Sequence, residues 1–489
     1  MTTRAPRNQP PQPGGGAAPA RSFGRDLTTG SIPRHLVAFS LPMLAGSAMQ
    51  TAYSFINTIW VGQFLGKNAL AATTVSFPVI FVLIAVGAGL TLGSNILVSQ
   101  HYGGRDMPAV RRVVSSSVLL IGALSLVLTV AGEIFAPLIL RAMDTPPEIM
   151  PSAIRYLRIF LLSLPLGFGL FLTRSLLQGI GDSTTPLYFQ AGALLLNAAL
   201  DPVLMFGWLG FPKLGLEGTA WASLAAQLLA LWALVATLRR RQNPIAPPRR
   251  WSGIDWHTTW SIFHIGLPSA IQQSMISIGM VFVTGIVNRF GSDATAAFGT
   301  AGRIDQIAFL PAMTFSLAVA TLTGQNIGAN RPERTRQILL WGCLLSGGFT
   351  LAASALAVSL PRVLLRIFTN DAAVLDLGTD YLRIVGASYV FFAIMFVSNG
   401  IINGAGHTLV TTCITLVSLW VVRVPVALWL SGQTGSVRGV WYAIAGSFGV
   451  SMCASLAYYS TGRWRRQVIR RTTPPPSPAA LFGEETGEV

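Results

Sequence analysis

The run from Leu187 to Trp208, LYFQAGALLLNAALDPVLMFGW, indicates both the fold and the function of the chain. At 1.5 Å per residue, an apolar helix of roughly 20 residues crosses the hydrocarbon core of a bilayer. We therefore predict a transmembrane helix here. The run also contains a carboxylate, Asp201, whose insertion costs roughly 2.5–3.5 kcal/mol. An acid kept at that cost is expected to face a bundle interior or a wet cavity and to have a function.

The residues beside Asp201 suggest what it binds. Asn197 lies four residues earlier, on the same helical face. Pro202 has no backbone N–H, and its ring displaces the carbonyl of Ala198, so we expect a hinge with a free oxygen. Oxygens in this arrangement suit a proton or a hard cation, the latter held by Asp201 and Asn197. The alternative is a kinked helix whose Asp201 pairs with a neighbouring helix.

The composition is that of a polytopic membrane protein. Hydrophobic residues make up 52% of the 489 residues, and charged residues only 11%. The net charge of +16 comes from arginines at the ends of apolar spans, a pattern that marks the cytoplasmic side rather than a nucleic-acid surface. The three cysteines have no paired spacing, and no nucleophile with its base is recognisable. We therefore expect no disulfide, no zinc site and no enzyme.

About twelve apolar spans follow one another from Leu36 onward, which predicts an all-α membrane protein with both termini in the cytoplasm. Residues 1–31 and 467–489 are expected to be disordered tails. The spans divide into a first lobe, 32–241, and a second lobe, 260–466. Between them, residues 242–259 form a basic linker. Trp251 and Trp256 of the linker, with Trp260 just after it, are expected to be interfacial anchors.

The chain repeats itself. The sequence Tyr156-Leu157-Arg158-Ile159 recurs as Tyr381-Leu382-Arg383-Ile384, a period of 225 residues (381 minus 156) that also relates Gln100 to Gln325 and Gly103 to Gly328. Six spans separate the copies, so the two halves cross the membrane in the same direction. This predicts two six-helix bundles with a transport site between them. Duplication without a shared cavity is the alternative.

Polar side chains within the spans are candidates for that site. In the first span, Gln50, Tyr53, Ser54 and Asn57 share one helical face, which either lines a cavity or joins helices. In the second half, Gln273 lies in a similar polar stripe.

Charged residues are rare in the spans of the second half. Arg303, Asp305 and Arg423 lie within them, and Arg423 precedes Pro425, a second candidate hinge. We expect Asp305 and Arg423 to pair. The side chains predicted to face the substrate cleft are Gln50, Ser54, Gln273, Arg303, Asp305 and Arg423.

Several short motifs together resemble the multidrug and toxic compound extrusion (MATE) antiporters, in particular the bacterial branch named for DNA-damage-inducible protein F. The resemblance extends from Ile32 to Arg466 and depends on four motifs: Leu41-Pro42 with Asn57-Thr58-Ile59-Trp60-Val61-Gly62, Leu196-Asn197 to Pro202, Gly218-Thr219-Ala220, and Gly324-Gln325-Asn326-Ile327-Gly328-Ala329-Asn330.

This resemblance implies two six-helix bundles arranged in a V, and export of bulky, often cationic drugs in exchange for H⁺ or Na⁺ without a cofactor. It places the protein in the bacterial inner membrane. It also assigns the coupling cation to a network of the first lobe formed by Tyr53, Asn57, Asn197, Asp201 and Thr219.

The chain departs from the family at one important position. Members commonly have Asp where this chain has Asn57, and the second-lobe acids of another branch are also missing, so Asp201 is the remaining carboxylate. Two alternatives stay open: a flippase for lipid-linked sugars, and a membrane scaffold or receptor that transports nothing. The run from His101 to Arg112 is similar to a loop of major-facilitator carriers, but its residue order does not fit that motif.

Overall fold

The computed structural model describes residues 24–248 and 255–465, and all regular secondary structure in these ranges is helical. The first half contains α1 (Ile32–Trp60), α2 (Gly66–Gly103), α3 (Met107–Ala142), α4 (Met150–Gly179), α5 (Thr184–Phe206) and α6 (Leu216–Arg240). The second half contains α7 (Trp256–Asn288), α8 (Ser292–Gly328), α9 (Arg334–Ser359), α10 (Pro361–Arg366), α11 (Ala372–Gly386), α12 (Tyr389–Gly404), α13 (Thr408–Leu416), α14 (Val424–Thr434) and α15 (Arg438–Ser460). Short π-helical segments, Val61–Leu65 and Val417–Arg423, join α1 to α2 and α13 to α14.

The expected all-α membrane fold is confirmed. Within the described ranges, ten helices are long and apolar enough to cross a membrane, with α13 and α14 counted as one, and α11 with α12 forms an eleventh span bent by 45°. Helix α1 has 29 residues, enough to cross, although its polar stripe lowers its hydropathy. Including α1 gives the twelve segments that the sequence predicts.

The two halves pack closely where α2 of the first half meets α7 and α8 of the second. A Cβ atom at Gly89 would overlap the backbone of Ala270 on α7. A Cβ at Gly103 or Gly328 would overlap the backbone of the helix opposite, α8 or α2. Small residues let helix backbones approach closely, as is common in membranes. Gly103 and Gly328 are the pair related by the repeat, so one interface uses both copies of the motif.

Two buried glutamines make equivalent hydrogen bonds between the halves. The Gln100 side-chain amide on α2 donates to the Gly404 carbonyl oxygen at 2.9 Å, and that of Gln325 on α8 donates to the Gly179 carbonyl oxygen at 3.0 Å. The acceptors, like the donors, are 225 residues apart (404 minus 179). These bonds satisfy carbonyls at the ends of α12 and α4, where a helix has no internal donors left.

Two predicted boundaries are corrected. Residues 24–31, expected to be disordered, lie against helix ends of both halves, and Leu27 is fully buried. Disorder was predicted from the Pro- and Gly-rich composition of the surrounding residues. That prediction failed because composition does not reveal hydrogen-bond partners on helices distant in sequence. Helix α7 begins at Trp256, four residues before the predicted lobe boundary, because the Asp255 carboxylate caps it by accepting the Thr258 N–H at 3.2 Å. Residues 1–23, 249–254 and 466–489, including Trp251, lie outside the described part.

We predict that Gly328→Ala destabilises the protein, because the added methyl group overlaps the backbone of α2 at Gln100. Overpacking of this kind costs roughly 1–3 kcal/mol. The measurement is thermal unfolding of the detergent-solubilised protein. Gly348→Ala is the matched control, since a Cβ there meets nothing within 4 Å. Equal melting temperatures for the two variants would contradict the close packing of α2 against α8.

Candidate functional site

A buried cluster of polar side chains surrounds Asp201 in the first half. Asp201 and Asn197 lie one turn apart on α5 and are 7% and 5% exposed. The Tyr53 hydroxyl, from α1, lies 3.0 Å from Oδ2 of Asp201 and within hydrogen-bonding distance of Oδ1 of Asn197. Three of the five residues of the predicted network, Tyr53, Asn197 and Asp201, are thus in contact. The phenol of Tyr53 is the group that joins α1 to α5 at this level.

Helix α6 adds a residue that the sequence analysis missed. The Ser223 hydroxyl donates to Oδ1 of Asn197 at 3.1 Å, while Nδ2 of Asn197 lies 3.3 Å from Ser223 Oγ and 3.4 Å from Oδ1 of Asp201. Ser223 lies four residues after Thr219, on the same face of α6, and this spacing could have revealed it. Tyr156 of α4 lies close enough to Asp201 to interact with it electrostatically.

The loop between α5 and α6 positions α6 so that Ser223 can contact Asn197. Pro202 is buried within α5, and Gly207 ends the helix in a left-handed conformation with φ of 77°. The Leu214 N–H then donates to the Leu204 carbonyl at 3.1 Å, and that of Gly215 to Met205 at 3.2 Å. These bonds satisfy the last carbonyls of α5 and fix where α6 begins.

The other two predicted members of the cation network, Thr219 and Asn57, make no hydrogen bond to Asp201 among the described residues. The Thr219 side chain is buried, but its hydroxyl donates to the Leu216 carbonyl of its own helix at 2.8 Å, a common local bond for Thr. No hydrogen bond joins Asn57 to Asp201 in the described chain, since Tyr53 takes that place. Gln50 is exposed and lies 3.4 Å from the Gln190 amide of α5, and Ser54 is also exposed.

The second half contains its own buried carboxylate, Asp305 on α8. The Tyr381 hydroxyl, from α11, donates to its Oδ2 at 2.5 Å, and the Tyr389 hydroxyl, from α12, donates to its Oδ1. Asp305 was predicted to face the substrate cleft. It is instead buried and enclosed by aromatic side chains. Tyr381 is the repeat partner of Tyr156, so each copy of this tyrosine lies near an acid. The internal repeat in the sequence could therefore have identified Tyr381 as a neighbour of an acid. No pattern in the sequence indicated Tyr389.

The predicted pair of Asp305 and Arg423 is wrong as a direct contact. No ion pair joins them among the described residues, and two tyrosine hydroxyls occupy the carboxylate oxygens. The Arg423 guanidinium is nevertheless close enough to Asp305 to interact with it electrostatically. The Nε of Arg423 instead donates to Ser447 Oγ at 2.8 Å, and the guanidinium lies 4.9 Å from the centre of the Phe448 ring. Arg423 ends the π-helical segment that precedes Pro425.

The remaining cleft candidates lie apart from both acids. The Arg303 guanidinium lies 5.7 Å from the centre of the Phe368 ring. On α7, the side chain of Gln272, the neighbour of Gln273, donates to Thr415 Oγ1 at 2.6 Å and so joins α7 to α13. The structure therefore does not gather the six cleft candidates into one cluster.

The hydrogen bonds around Asp201 can form two complete patterns. Tyr53 has one hydroxyl proton and two acceptors, Asp201 and Asn197. When Asp201 is charged, Tyr53 donates to it, and Ser223 satisfies Oδ1 of Asn197. When Asp201 is protonated, its own O–H can donate to Tyr53, whose hydroxyl proton then turns to Asn197. The cluster can therefore take up or release one proton without leaving a buried group unsatisfied.

Comparison with known proteins identifies the family of the chain. A family model described as MatE matches residues 42–203 and again residues 268–429. The second match begins 226 residues after the first (268 minus 42), which agrees with the internal repeat.

Curated relatives cover most of the chain. The chain is 31% identical to the probable multidrug resistance protein YpnP of Bacillus subtilis, over 90% of this chain and 97% of that protein. It is also 31% identical to the probable multidrug resistance protein YoeA of the same organism, over 90% and 96%. A solved multidrug resistance MATE family transporter in an outward-facing conformation superposes with a TM-score of 0.84 at 24% identity, covering 91% of this chain and 98% of that one.

We predict that Tyr53→Phe destabilises the protein by roughly 1–3 kcal/mol, because Oδ2 of the buried Asp201 loses its hydroxyl donor. Thermal unfolding in detergent measures the loss. Tyr188→Phe removes the same atom from a side chain on α5 that is 71% exposed, and should leave the melting temperature unchanged. If the two variants unfold alike, the Tyr53 hydroxyl does not hold the cluster together.

Proposed function

Because the chain belongs to the MatE family, we propose that it exports bulky organic cations across a bacterial inner membrane in exchange for a coupling cation bound at Asp201. The observation that carries this proposal is the buried contact of Tyr53 with both Asp201 and Asn197. The curated relatives named as multidrug resistance proteins support the substrate class. The arginine-rich helix ends support an orientation with both termini in the cytoplasm.

The donors around Asp201 favour a proton as the coupling cation. A sodium ion needs several oxygen ligands free to turn towards it. Here Oδ1 of Asp201 faces the Asn197 amide nitrogen, and Oδ2 faces the Tyr53 hydroxyl. Oδ1 of Asn197 already accepts from Ser223 and lies against the Tyr53 hydroxyl. One proton therefore fits this site better than Na⁺.

Protonation of Asp201 can be coupled to conformation through the helices that meet there. Tyr53 belongs to α1, Asn197 to α5 and Ser223 to α6, and each protonation state of Asp201 gives these side chains a different hydrogen-bond pattern. A ligand shifts a conformational equilibrium by its difference in affinity for the two states. We propose that the proton favours one state and the organic cation the other, with Pro202 and Pro425 as hinges.

We propose that the organic cation binds to polar side chains outside the Asp201 cluster. Gln50 and Ser54 are exposed on α1, on either side of Tyr53 along the helix, so an organic cation bound to them would sense the state of Asp201. Gln273, Arg303 and Arg423 are the proposed contacts from the second half.

We predict that Asp201→Asn abolishes proton-driven transport, because the amide cannot take up the coupling proton. The measurement is uptake of ethidium by proteoliposomes, with a pH gradient and a sodium gradient imposed in separate experiments. Asp144→Asn is the matched control, since this acid is exposed in the loop after α3 and has a left-handed backbone, φ 52°, that Asn tolerates. The control should transport like the unmodified protein, and Asp201→Asn like empty liposomes.

Four results would contradict this proposal. Normal ethidium transport by Asp201→Asn would exclude Asp201 as the coupling site. Uptake driven by sodium alone would exclude the proton. If neither gradient drives ethidium uptake but a fluorescent lipid-linked sugar is translocated, the flippase is favoured. If neither ethidium nor the lipid-linked sugar is transported, a scaffold or receptor is favoured.

A further inference from the structure

A short segment before α1 contacts both halves of the molecule. We call residues 24–31 the strap. They lie on the basic face, the side of the molecule where α2 and α8 end and where Arg105, Arg331 and Arg334 lie. The Arg25 N–H donates to the Ile180 carbonyl, just after α4, at 3.1 Å. The Asp26 carboxylate lies 3.9 Å from the Arg105 guanidinium, just after α2. These two strap residues bind the first half.

The next residues of the strap bind the second half. The Leu27 N–H donates to Oε1 of Gln325 at 3.0 Å, and the Asn326 side-chain amide donates to the Leu27 carbonyl at 3.2 Å. The Leu27 side chain is fully buried, in a hydrophobic cluster that includes Leu322 and Ile327 of α8. Both polar groups of the Leu27 backbone are thus satisfied by one helix end.

Arginines at the start of α9 extend this contact. Arg331 donates to the Thr28 carbonyl at 3.0 Å, and Arg334 donates to the carbonyls of Thr28 and, at 2.6 Å, Gly30. Burial alone would raise the pKa of Asp26, but bonds from the Thr28 hydroxyl and N–H, with Arg105 and Arg331 nearby, hold it below its usual value. Asp26 is therefore charged at neutral pH, and it fixes the turn that presents the Thr28 carbonyl to the arginines.

The strap lies on the seam where the halves close. Gln325, which accepts from Leu27, also donates across the seam to Gly179 at the end of α4. Thr321, one turn deeper on α8, is 1% exposed and donates to Asn95 of α2 at 3.3 Å. Opening the basic face would separate these partners. Opening would therefore break the hydrogen bond of Gln325 either to Gly179 or to Leu27 of the strap.

We propose that the strap locks the two halves together at the basic face and has to detach from one half before that face can open. The proposal rests on the function proposed above, in which the two faces open in turn. The Arg25 backbone binds the first half and the Leu27 backbone the second, only two residues later, and consecutive Cα atoms are about 3.8 Å apart. Such a short segment has little slack to follow halves that move apart. One set of strap contacts must therefore break in each transport cycle.

The first test measures opening of the seam without any transport substrate. Thr321→Cys is introduced after the three native cysteines are replaced by alanine, and its reaction with a water-soluble maleimide is timed. Cysteine is no larger than threonine, so the seam stays packed. Arg334→Ala should speed labelling by roughly tenfold, because charge-assisted hydrogen bonds to the strap are lost.

Arg336→Ala is the matched control. It removes the same charge from the same helix, and Arg336 is exposed and has no hydrogen bond to the strap. It should leave the labelling rate of Thr321→Cys unchanged. Equal labelling rates in the Arg334→Ala and Arg336→Ala proteins would overturn the lock.

The second test asks whether the strap has to move during transport. Two cysteine pairs, Asp26→Cys with Arg105→Cys and Thr28→Cys with Arg331→Cys, join the strap to the first and the second half in separate proteins. After reaction with a short thiol cross-linker, ethidium transport should fall at least severalfold in one of them, and single-cysteine proteins treated alike should transport normally. Full transport by both cross-linked proteins would show a passive anchor. Transport by the cysteine-free parent protein tests the proposed function separately. If the parent transports nothing, the proposed function fails, and the labelling experiment still tests the lock.

Discussion

In the interior of a bilayer, a polar group that loses its partner cannot turn to water, so every buried donor and acceptor needs a partner within the chain. This constraint explains the contacts that organise the molecule. Gln100 and Gln325 hold the halves together through carbonyls at helix ends. Tyr53 joins α1 to α5 through Asp201 and Asn197. A conformational change in such a protein must exchange one complete set of partners for another, and the groups that have an alternative partner are the ones that can move.

The two halves share a scaffold but differ in chemistry. Repeated glycines and glutamines form the closed seam in an equivalent way in both copies, and Tyr156 and Tyr381 each lie near an acid. The acids themselves come from different helices, α5 and α8. Asp305 accepts from two tyrosines at once and so has no need of a further proton donor. Asp201 shares a single hydroxyl proton with Asn197, which leaves its state open to change. The repeat therefore preserves the packing contacts between the halves but not the positions of the buried acids.

The sequence predicted what depends on local pattern and missed what depends on the fold. Span length, arginine-rich ends and the 225-residue period are each visible in the chain, and they gave the spans, the proposed orientation and the two halves. The proximity of Asn197 to Asp201 follows from helical spacing alone. The error at Asp305 had a physical cause, since scarcity of charge suggested Arg423 as a partner, whereas neutral tyrosines from α11 and α12 satisfy the carboxylate. Pairing across helices requires their rotation and depth, which no local pattern contains.

The strap and the Asp201 cluster lie at the two ends of the same helix. Tyr53 follows Ser31 by 22 residues, about 33 Å along α1 at 1.5 Å per residue. The beginning of α1 packs Leu36 and Phe39 into the hydrophobic cluster that includes α8. Farther along, its Gly46 carbonyl accepts from Gln190 of α5 at 3.2 Å. Helix α1 therefore begins against the second half and ends against the first. Any rearrangement at Tyr53 that shifts α1 along its axis acts directly on the strap, because Leu27 and Thr28 lie at its foot. The proton that we propose to bind at Asp201 would thus bias the closure of the other face through α1 itself, without a relay of side chains between them.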